Sequence, residues 1–129
     1  MHKPFSPPGI HPPSSSYSHA VDVPAGTRLV FCSGQVGIRP DGTIPPDCAG
    51  QAAVCFENIG AILAEAGMGL QDIVRVNAFV AGREHLQPFA EVRNAVLKEP
   101  FPASTLVIVS GFARPEFVVE IEVTAAAPA

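Results

Sequence analysis

An amphipathic helix in the middle of the chain restricts the fold more than any other segment. Between Cys48 and Ala66, apolar residues recur at steps of three and four, which is the period of one helix face. Asp47 is a favourable N-cap for this helix, and Gly67 ends it. The apolar positions are Ala52, Cys55, Phe56, Ile59, Ile62 and Leu63. Because such a stripe must be covered by a sheet or by another helix, the chain is predicted to fold in layers.

Strand patterns surround this helix, and a second helix follows the third strand. Strands are predicted at Tyr17–Val23, Arg28–Gly34, Asp72–Ala81, Ser104–Val109 and Phe117–Thr124. The second helix is predicted within Glu84 to Lys98 and, because of Pro88, begins near Gln87. The simplest packing for this order is a mixed sheet of four to six strands with both helices on one face. The other face would then be bare, which predicts contact with further copies of the chain.

Two strands and one loop have distinctive patterns. Arg28–Gly34 contains a continuous apolar run, which is typical of a strand covered on both faces. Asp72–Ala81 alternates and is predicted to lie centrally in the sheet. Val36–Pro46 contains glycines, prolines and the Asp41-Gly42 turn signal, so it is predicted to be a loop or a short hairpin.

The N-terminal segment differs in composition from the rest. We divide the chain into a Pro/Ser-rich arm, residues 1–14, and one domain, residues 15–129. The prolines and serines that continue to position 16 exclude a helix and predict an extended or irregular chain.

The overall composition restricts the possible partners. Apolar residues make up 47% of the 129 residues and charged ones 16%, which favours a homo-oligomer, although a large core is an alternative. The net charge is −4 with two lysines, so there is no cationic stripe for nucleic acid. No apolar stretch approaches the roughly 18 residues that span a bilayer, and no signal-peptide pattern is present. We therefore expect no membrane association and a cytoplasmic location.

The three cysteines do not suggest a metal centre. Cys32, Cys48 and Cys55 are odd in number and fit no metal-ligand spacing. Reduced, mostly buried thiols and no metal site are expected. Cys32 lies within an apolar strand, where a core position is favoured over a nucleophile.

None of the common local enzyme motifs is present, but polar side chains cluster at strand ends. The chain has no phosphate-binding glycine loop, nucleophile elbow, zinc-binding His pair or dinucleotide fingerprint. Glu120 and Glu122 are two apart in an apolar strand and share a face. Either this face is solvated, or one carboxylate faces a pocket and handles protons or positions a water. Tyr17 suits a core or interface position as well as a pocket wall, and His19 suits a strand surface or a proton carrier.

The order of several short motifs resembles one protein family. The motifs are Tyr17, Val30–Gln35, Gln51, Asn58, Gly67, Phe101–Ala103 and Val119–Glu122. Together they are similar to the Rid superfamily, the YjgF-like or reactive-intermediate imine deaminases, some of which are labelled L-PSP endoribonucleases. The resemblance covers residues 15 to 126. It implies a chorismate-mutase-like α+β fold and a homotrimer with pockets at the subunit interfaces.

The resemblance also implies a site and a reaction. In deaminase members, water releases ammonia from a 2-imino or 2-aminoalkenoic acid to leave a 2-keto acid, without a metal or an organic cofactor. By this resemblance Tyr17, Ser33 and Gly34 line the pocket. Glu120 would orient the attacking water or move a proton.

Three positions depart from the family pattern. Ser104 replaces the arginine that binds the substrate carboxylate, and Leu106 replaces a frequent cysteine. A hydroxyl does not replace a fixed charge, and losing a charge-assisted pair costs about 2 kcal/mol or more. Arg93 falls near a position that is often asparagine. It either supplies a displaced cation or is a solvated arginine on a helix face.

Three functions are compatible with this pattern. The first is a Rid-like hydrolase of an enamine or imine metabolite other than the usual 2-imino acid, for which water and Glu120 suffice. The alternative is a non-catalytic protein that binds a small metabolite, with Ser104 and Thr105 as hydroxyl partners. RNA cleavage is the least favoured, because the chain is acidic.

Overall fold

A four-stranded mixed sheet, covered on one face by two helices, forms the centre of the molecule. The computed structural model describes residues 2–129. The strands are β1 (Lys3–Phe5), β2 (Ala20–Asp22), β3 (Thr27–Val36), β4 (Ile73–Val80), β5 (Ala103–Ile108) and β6 (Val119–Pro128), and the helices are α1 (Cys48–Glu65) and α2 (Leu86–Val96). The sheet order is β3-β6-β4-β5, in which only β4 and β5 run parallel. The predicted α+β class, mixed sheet and helix arrangement are confirmed.

Helix α1 begins and ends where its sequence signals predict. The Asp47 side chain accepts a hydrogen bond of 2.8 Å from the Gly50 amide, which caps the first turn. The helix ends at Glu65, and Gly67 takes the positive φ of +72° that reverses the chain. Most of the predicted apolar stripe is buried, but Ile62 is 37% exposed. No helix within residues 2–129 combines the length and apolar composition needed to cross a membrane.

Helix α2 begins near Gln87, as predicted, and ends two residues before Lys98. A single 3₁₀ turn, Arg83–His85, precedes it, and the α-helix runs from Leu86 to Val96. Pro88 lies in its first turn, where a backbone N–H has no partner within the helix, so the proline is tolerated. Phe89 is fully buried and joins α2 to the core.

The face of the sheet opposite the helices has no covering layer among residues 2–129. The prediction that β4 is central is confirmed, since it lies between β6 and β5. The prediction that Arg28–Gly34 is covered on both faces is wrong for the single chain. Leu29 is 50% and Phe31 is 76% exposed, because the helices pack on the other side only.

The first predicted strand is mostly replaced by irregular structure. Within Tyr17–Val23, only β2 forms a strand, and it pairs antiparallel with β1 of the N-terminal arm. This ladder has three residue pairs, and beyond it the His19 amide donates to the Ser6 side chain at 3.2 Å. Ser18 instead forms an isolated parallel bridge with Ala103, which attaches this segment to the edge of the main sheet.

All three cysteines are buried and free, as expected. Burial raises the pKa of the Cys48 thiol to about 11 and that of the Cys55 thiol to about 12. Cys32 is 6% exposed and belongs to the core. Neutral buried thiols are unreactive, which favours packing roles for these residues.

Gln51 is a buried amide that joins three segments of the chain. Its Nε2 donates to the Pro45 carbonyl at 3.0 Å and to the Glu116 carbonyl at 2.8 Å. Its Oε1 accepts from the Val118 amide at 3.0 Å. The side chain therefore fixes the loop before α1 and the loop before β6 to the helix.

We predict that Gln51→Leu strongly destabilises the fold. The change leaves two carbonyls and one amide without partners, and an unsatisfied buried group costs about 1–3 kcal/mol. Chemical denaturation should show the free energy of unfolding falling by at least about 2 kcal/mol. The control is Gln71→Leu, at an exposed glutamine, which should change it by less than about 0.5 kcal/mol. Equal effects of the two changes would contradict this role.

Candidate functional site

A cleft of about 540 Å³ lies between α2, the edge strand β5 and the N-terminal arm. Four of the residues predicted for the site line it: Tyr17, Arg93, Ser104 and Leu106. Ser104 and Leu106 are in register with Val76 and Ala78, which are buried in the core. Because register partners share a face, both side chains point towards the helix layer.

Arg93 is the charged group of this cleft, and it is only 4% exposed. The interpretation of Arg93 as a solvated arginine on a helix face is therefore wrong. Its Nη2 donates to Ser15 Oγ at 2.6 Å, and both Nε and Nη2 lie 3.3 Å from Asn94 Oδ1. The guanidinium carbon lies 5.5 Å from the centre of the Phe89 ring. The arm and α2 together hold this cation at the cleft.

The electrostatic surroundings of Arg93 are unusual for a buried cation. Burial lowers the pKa of its guanidinium, and the nearby Tyr17 raises it, although arginine stays protonated at neutral pH. No Asp or Glu within residues 2–129 forms an ion pair with it. The cleft therefore carries one positive charge.

A second group of predicted residues lies on the uncovered face of the sheet. Ser33 and Gly34 both fall between the register pairs Cys32–Val123 and Gln35–Ile121, where β6 has the single residue Glu122. This two-against-one arrangement is a β-bulge. A Cβ on Gly34 would overlap the carboxylate of Glu120. The bulge thus places the Gly34 backbone directly against this carboxylate.

Glu120 and Glu122 share the uncovered face, as predicted, but differ in their partners. They are in register with Phe79 and Asn77 of β4. Glu122 Oε1 accepts a hydrogen bond of 3.2 Å from the Asn77 side chain. The Glu120 carboxylate is half-buried and has no hydrogen-bond donor within residues 2–129. Glu120 is therefore the acid that remains available.

Thr105 lies apart from the cleft. Its side chain is exposed on the uncovered face, where Thr105 Oγ1 accepts a hydrogen bond of 2.6 Å from Arg75 Nη2. Ser104 and Thr105 are neighbours in a strand and point to opposite faces. One protomer therefore does not bring the two hydroxyls together.

The sheet itself separates the two groups within one protomer. The helix side at β5 holds Tyr17, Arg93, Ser104 and Leu106, whereas the other side near β3 holds Ser33, Gly34 and Glu120.

The cleft is also lined by Ser15, Gln87 and Ala90, which the sequence did not predict. The three-residue spacing from Gln87 to Arg93 indicates one helix face. No local signal predicts the path of Ser15.

No metal-binding cluster accompanies these residues. In the part of the chain that the structure describes, no three His, Cys, Asp or Glu side chains are placed to hold an ion.

The Ser104 Oγ atom is buried and has no hydrogen-bond partner in residues 2–129. Within the described residues, the wall of the cleft therefore contains a cation and a buried hydroxyl without a hydrogen-bond partner.

The fold and the cleft define a class of small α+β proteins in which two helices cover one face of a mixed sheet. The family model described as Endoribonuclease L-PSP matches residues 10–127. The chain belongs to this family, the YjgF/Rid proteins.

Individual relatives agree with this assignment. The RutC family protein YjgH of Escherichia coli K12 is 36% identical over 124 residues, which are 95% of this chain and 92% of that protein. A protein of that bacterium named putative reactive intermediate deaminase TdcF is 38% identical over 74 residues, 57% of this chain and 54% of that protein. The Rid family protein YyfB from Yersinia pestis has a TM-score of 0.87 at 26% identity, with 98% of each chain covered. The Rid/YjgF fold implied by the sequence is confirmed.

The contact between Gly34 and Glu120 leads to a prediction. In Gly34→Ala, the new methyl group displaces the Glu120 carboxylate, which is the far end of a flexible side chain. We expect the melting temperature to change by less than about 3 °C. The carboxyl carbon resonance of Glu120 should shift in NMR spectra of labelled protein.

Gly60→Ala is the matched control for this change. A Cβ at Gly60 has open space around it, and alanine favours a helix by about 0.5–1 kcal/mol. Gly60→Ala should raise the melting temperature slightly and leave the Glu120 resonance in place. A Glu120 resonance that stays unchanged in Gly34→Ala would show that the two residues are not in contact.

Proposed function

We propose that the protein is a Rid-type hydrolase that releases ammonia from an enamine or imine metabolite. Membership of the Rid family and the similarity to TdcF, which is named a putative reactive intermediate deaminase, support this proposal. One observation carries it for this chain. The half-buried Glu120 carboxylate lies against Gly34 and is engaged by no protein donor in residues 2–129.

The proposed reaction needs a positioned water and one group that moves protons. An enamine first tautomerises to the imine, gaining a proton on carbon and losing one from nitrogen. Water oxygen then forms a bond to the imine carbon, while Glu120 accepts a proton from that water and delivers it to nitrogen. As the C–N bond of the tetrahedral adduct breaks, its hydroxyl proton is transferred to nitrogen, again through Glu120, so that ammonia leaves and a ketone or 2-keto acid remains.

We further propose that a complete site forms between protomers of a homotrimer. The two groups of site residues lie on opposite faces of the sheet, so a neighbouring protomer must supply one of them. The exposed Leu29 and Phe31 provide an apolar surface for such contact. In this arrangement, the partner subunit's Glu120 faces the cleft that contains Tyr17 and Ser104.

Ser104 and the size of the cleft bear on the preferred substrate. Ser104 leaves strand β5, though not the whole cleft, without a cation, so we propose that the small 2-aminoacrylate is a weak substrate and that a larger imine is preferred. Clefts of several hundred Å³ hold ligands well above that size.

The three free thiols support a reducing compartment, the cytoplasm. RNA cleavage is not part of the proposal, because a net charge of −4 disfavours phosphate contacts.

The reaction is tested by ammonia release. Imines are generated in situ from amino acids by an amino-acid oxidase and from amines by an amine oxidase, alongside fresh 2-aminoacrylate. Wild-type protein should accelerate ammonia release from at least one imine, and Glu120→Gln should lower this rate by about 100-fold or more.

Glu122→Gln is the matched control for Glu120→Gln. It removes the neighbouring charge on the same face and keeps an oxygen that accepts from Asn77, so its rate should stay within about twofold. Wild-type rates equal to buffer for every imine would refute the deaminase. A ligand that stabilises the protein and stays chemically unchanged would instead indicate the binding protein.

Mixed oligomers test the shared site. Tyr17→Ala and Glu120→Gln alter different halves, so each alone should be inactive. If sites form between subunits, co-refolding the two variants in equal amounts restores about one quarter of wild-type activity through randomly mixed trimers. Activity that stays at the level of the separate variants would mean that each site lies within one protomer.

A further inference from the structure

Among residues 2–129, Arg93 is a buried cation without a counter-ion. A guanidinium removed from water is costly unless it is paired or fully hydrogen-bonded. Ser15 and Asn94 occupy Nε and Nη2, and the Phe89 ring lies beneath the group. Nη1 has no acceptor within residues 2–129. Both the charge and one donor group are therefore left unmatched by the described part of the chain.

A second unmatched donor lies in the same cleft. Ser104 Oγ is buried and has no hydrogen-bond partner within residues 2–129. Unpaired buried hydroxyls are uncommon, because the lost hydrogen bond costs about 1–3 kcal/mol. None of the described residues that line the cleft is an Asp or a Glu. A cation on the α2 wall and a hydroxyl donor on the β5 wall are both complementary to an anion's oxygen atoms.

The arm orients the guanidinium. Ser15 accepts a hydrogen bond of 2.6 Å from Nη2, and Asn94 binds the Nε edge. A guanidinium fixed on one edge offers its remaining N–H groups in a defined direction. A planar carboxylate suits such a fork better than a group without charge.

We propose that Arg93 binds the carboxylate of the substrate, with the Ser104 hydroxyl as a second donor. Anion binding thus comes from helix α2 and not from strand β5. The substrate class of this site is a carboxylate-bearing imine or enamine, which rests on the deaminase function proposed above. Arg93 determines specificity for the anion, whereas Glu120 carries the chemistry.

Equilibrium binding of a product-like ligand tests this inference without requiring turnover. The ligands are 4-methyl-2-oxopentanoate and its neutral amide, measured by calorimetry. Wild-type protein should bind the oxo acid at least tenfold more tightly than the amide, because a charge-assisted pair supports such a difference. Arg93→Asn should remove this preference and leave amide binding unchanged.

Three further variants separate anion binding from a structural role. Arg93→Asn/Ser104→Arg moves the cation to β5 and should restore at least part of the preference for the oxo acid. Ser104→Ala removes a hydroxyl without a protein partner, so it should fold normally and weaken oxo-acid binding several-fold. Arg83→Asn removes an exposed charge near the start of α2 and should leave both affinities unchanged.

Each outcome has a defined meaning. Equal oxo-acid affinity in Arg93→Asn and Arg83→Asn, or no preference for the oxo acid over the amide in wild type, would overturn the inference. Should Arg93→Asn fail to fold, unchanged oxo-acid affinity in Ser104→Ala would overturn it as well. If oxo-acid binding depends on Arg93 but no imine is hydrolysed, the deaminase function is rejected and the anion site at Arg93 is retained. Hydrolysis of carboxylate-bearing imines that is insensitive to Arg93→Asn would reject the anion site and leave the deaminase.

Discussion

Burial of the apolar faces of α1 and α2 against one side of the sheet is the constraint on which the rest of the structure depends. Once Val76 and Ile121 occupy that buried side, the two-residue period of each strand sends their neighbours to the other. Ser104 shares the helix side, whereas Glu120 and Thr105 lie on the uncovered face. The division of the candidate site is thus a direct consequence of how the core packs.

The two buried polar side chains of the described chain, Gln51 and Arg93, have opposite characters. The Gln51 amide is matched by three backbone groups, so it is a closed structural contact. Arg93 keeps an unmatched charge beside an open cleft. A satisfied buried amide needs no ligand, but a buried cation without a counter-ion is stabilised when an anion binds. Gln51, whose hydrogen-bonding groups all have partners, is therefore a structural residue, whereas Arg93, whose charge has none within the described chain, is a candidate binding residue.

Local patterns were sufficient for the regular elements. The Asp47 cap and Gly67 marked the ends of α1, and alternation identified β4 as a strand and placed Glu120 and Glu122 on one face. Local patterns did not predict the contacts between segments that are distant in the sequence. The pairing of β1 with β2 depends on a chain reversal through a proline-rich arm, for which no short-range signal exists. The exposure of β3 depends on the absence of a second covering layer among the described residues.

The sequence by itself determined the layers, the helix boundaries, the family and the identity of most candidate residues, because periodicity, capping and short motifs act over a few residues. Only the tertiary structure decided that Arg93 is buried at the cleft beside Ser104 and that Glu120 lies across the sheet from both. Those relations depend on the path of the arm over α2 and on which face each strand presents to the helices. Both are set by packing between segments that are far apart in the chain.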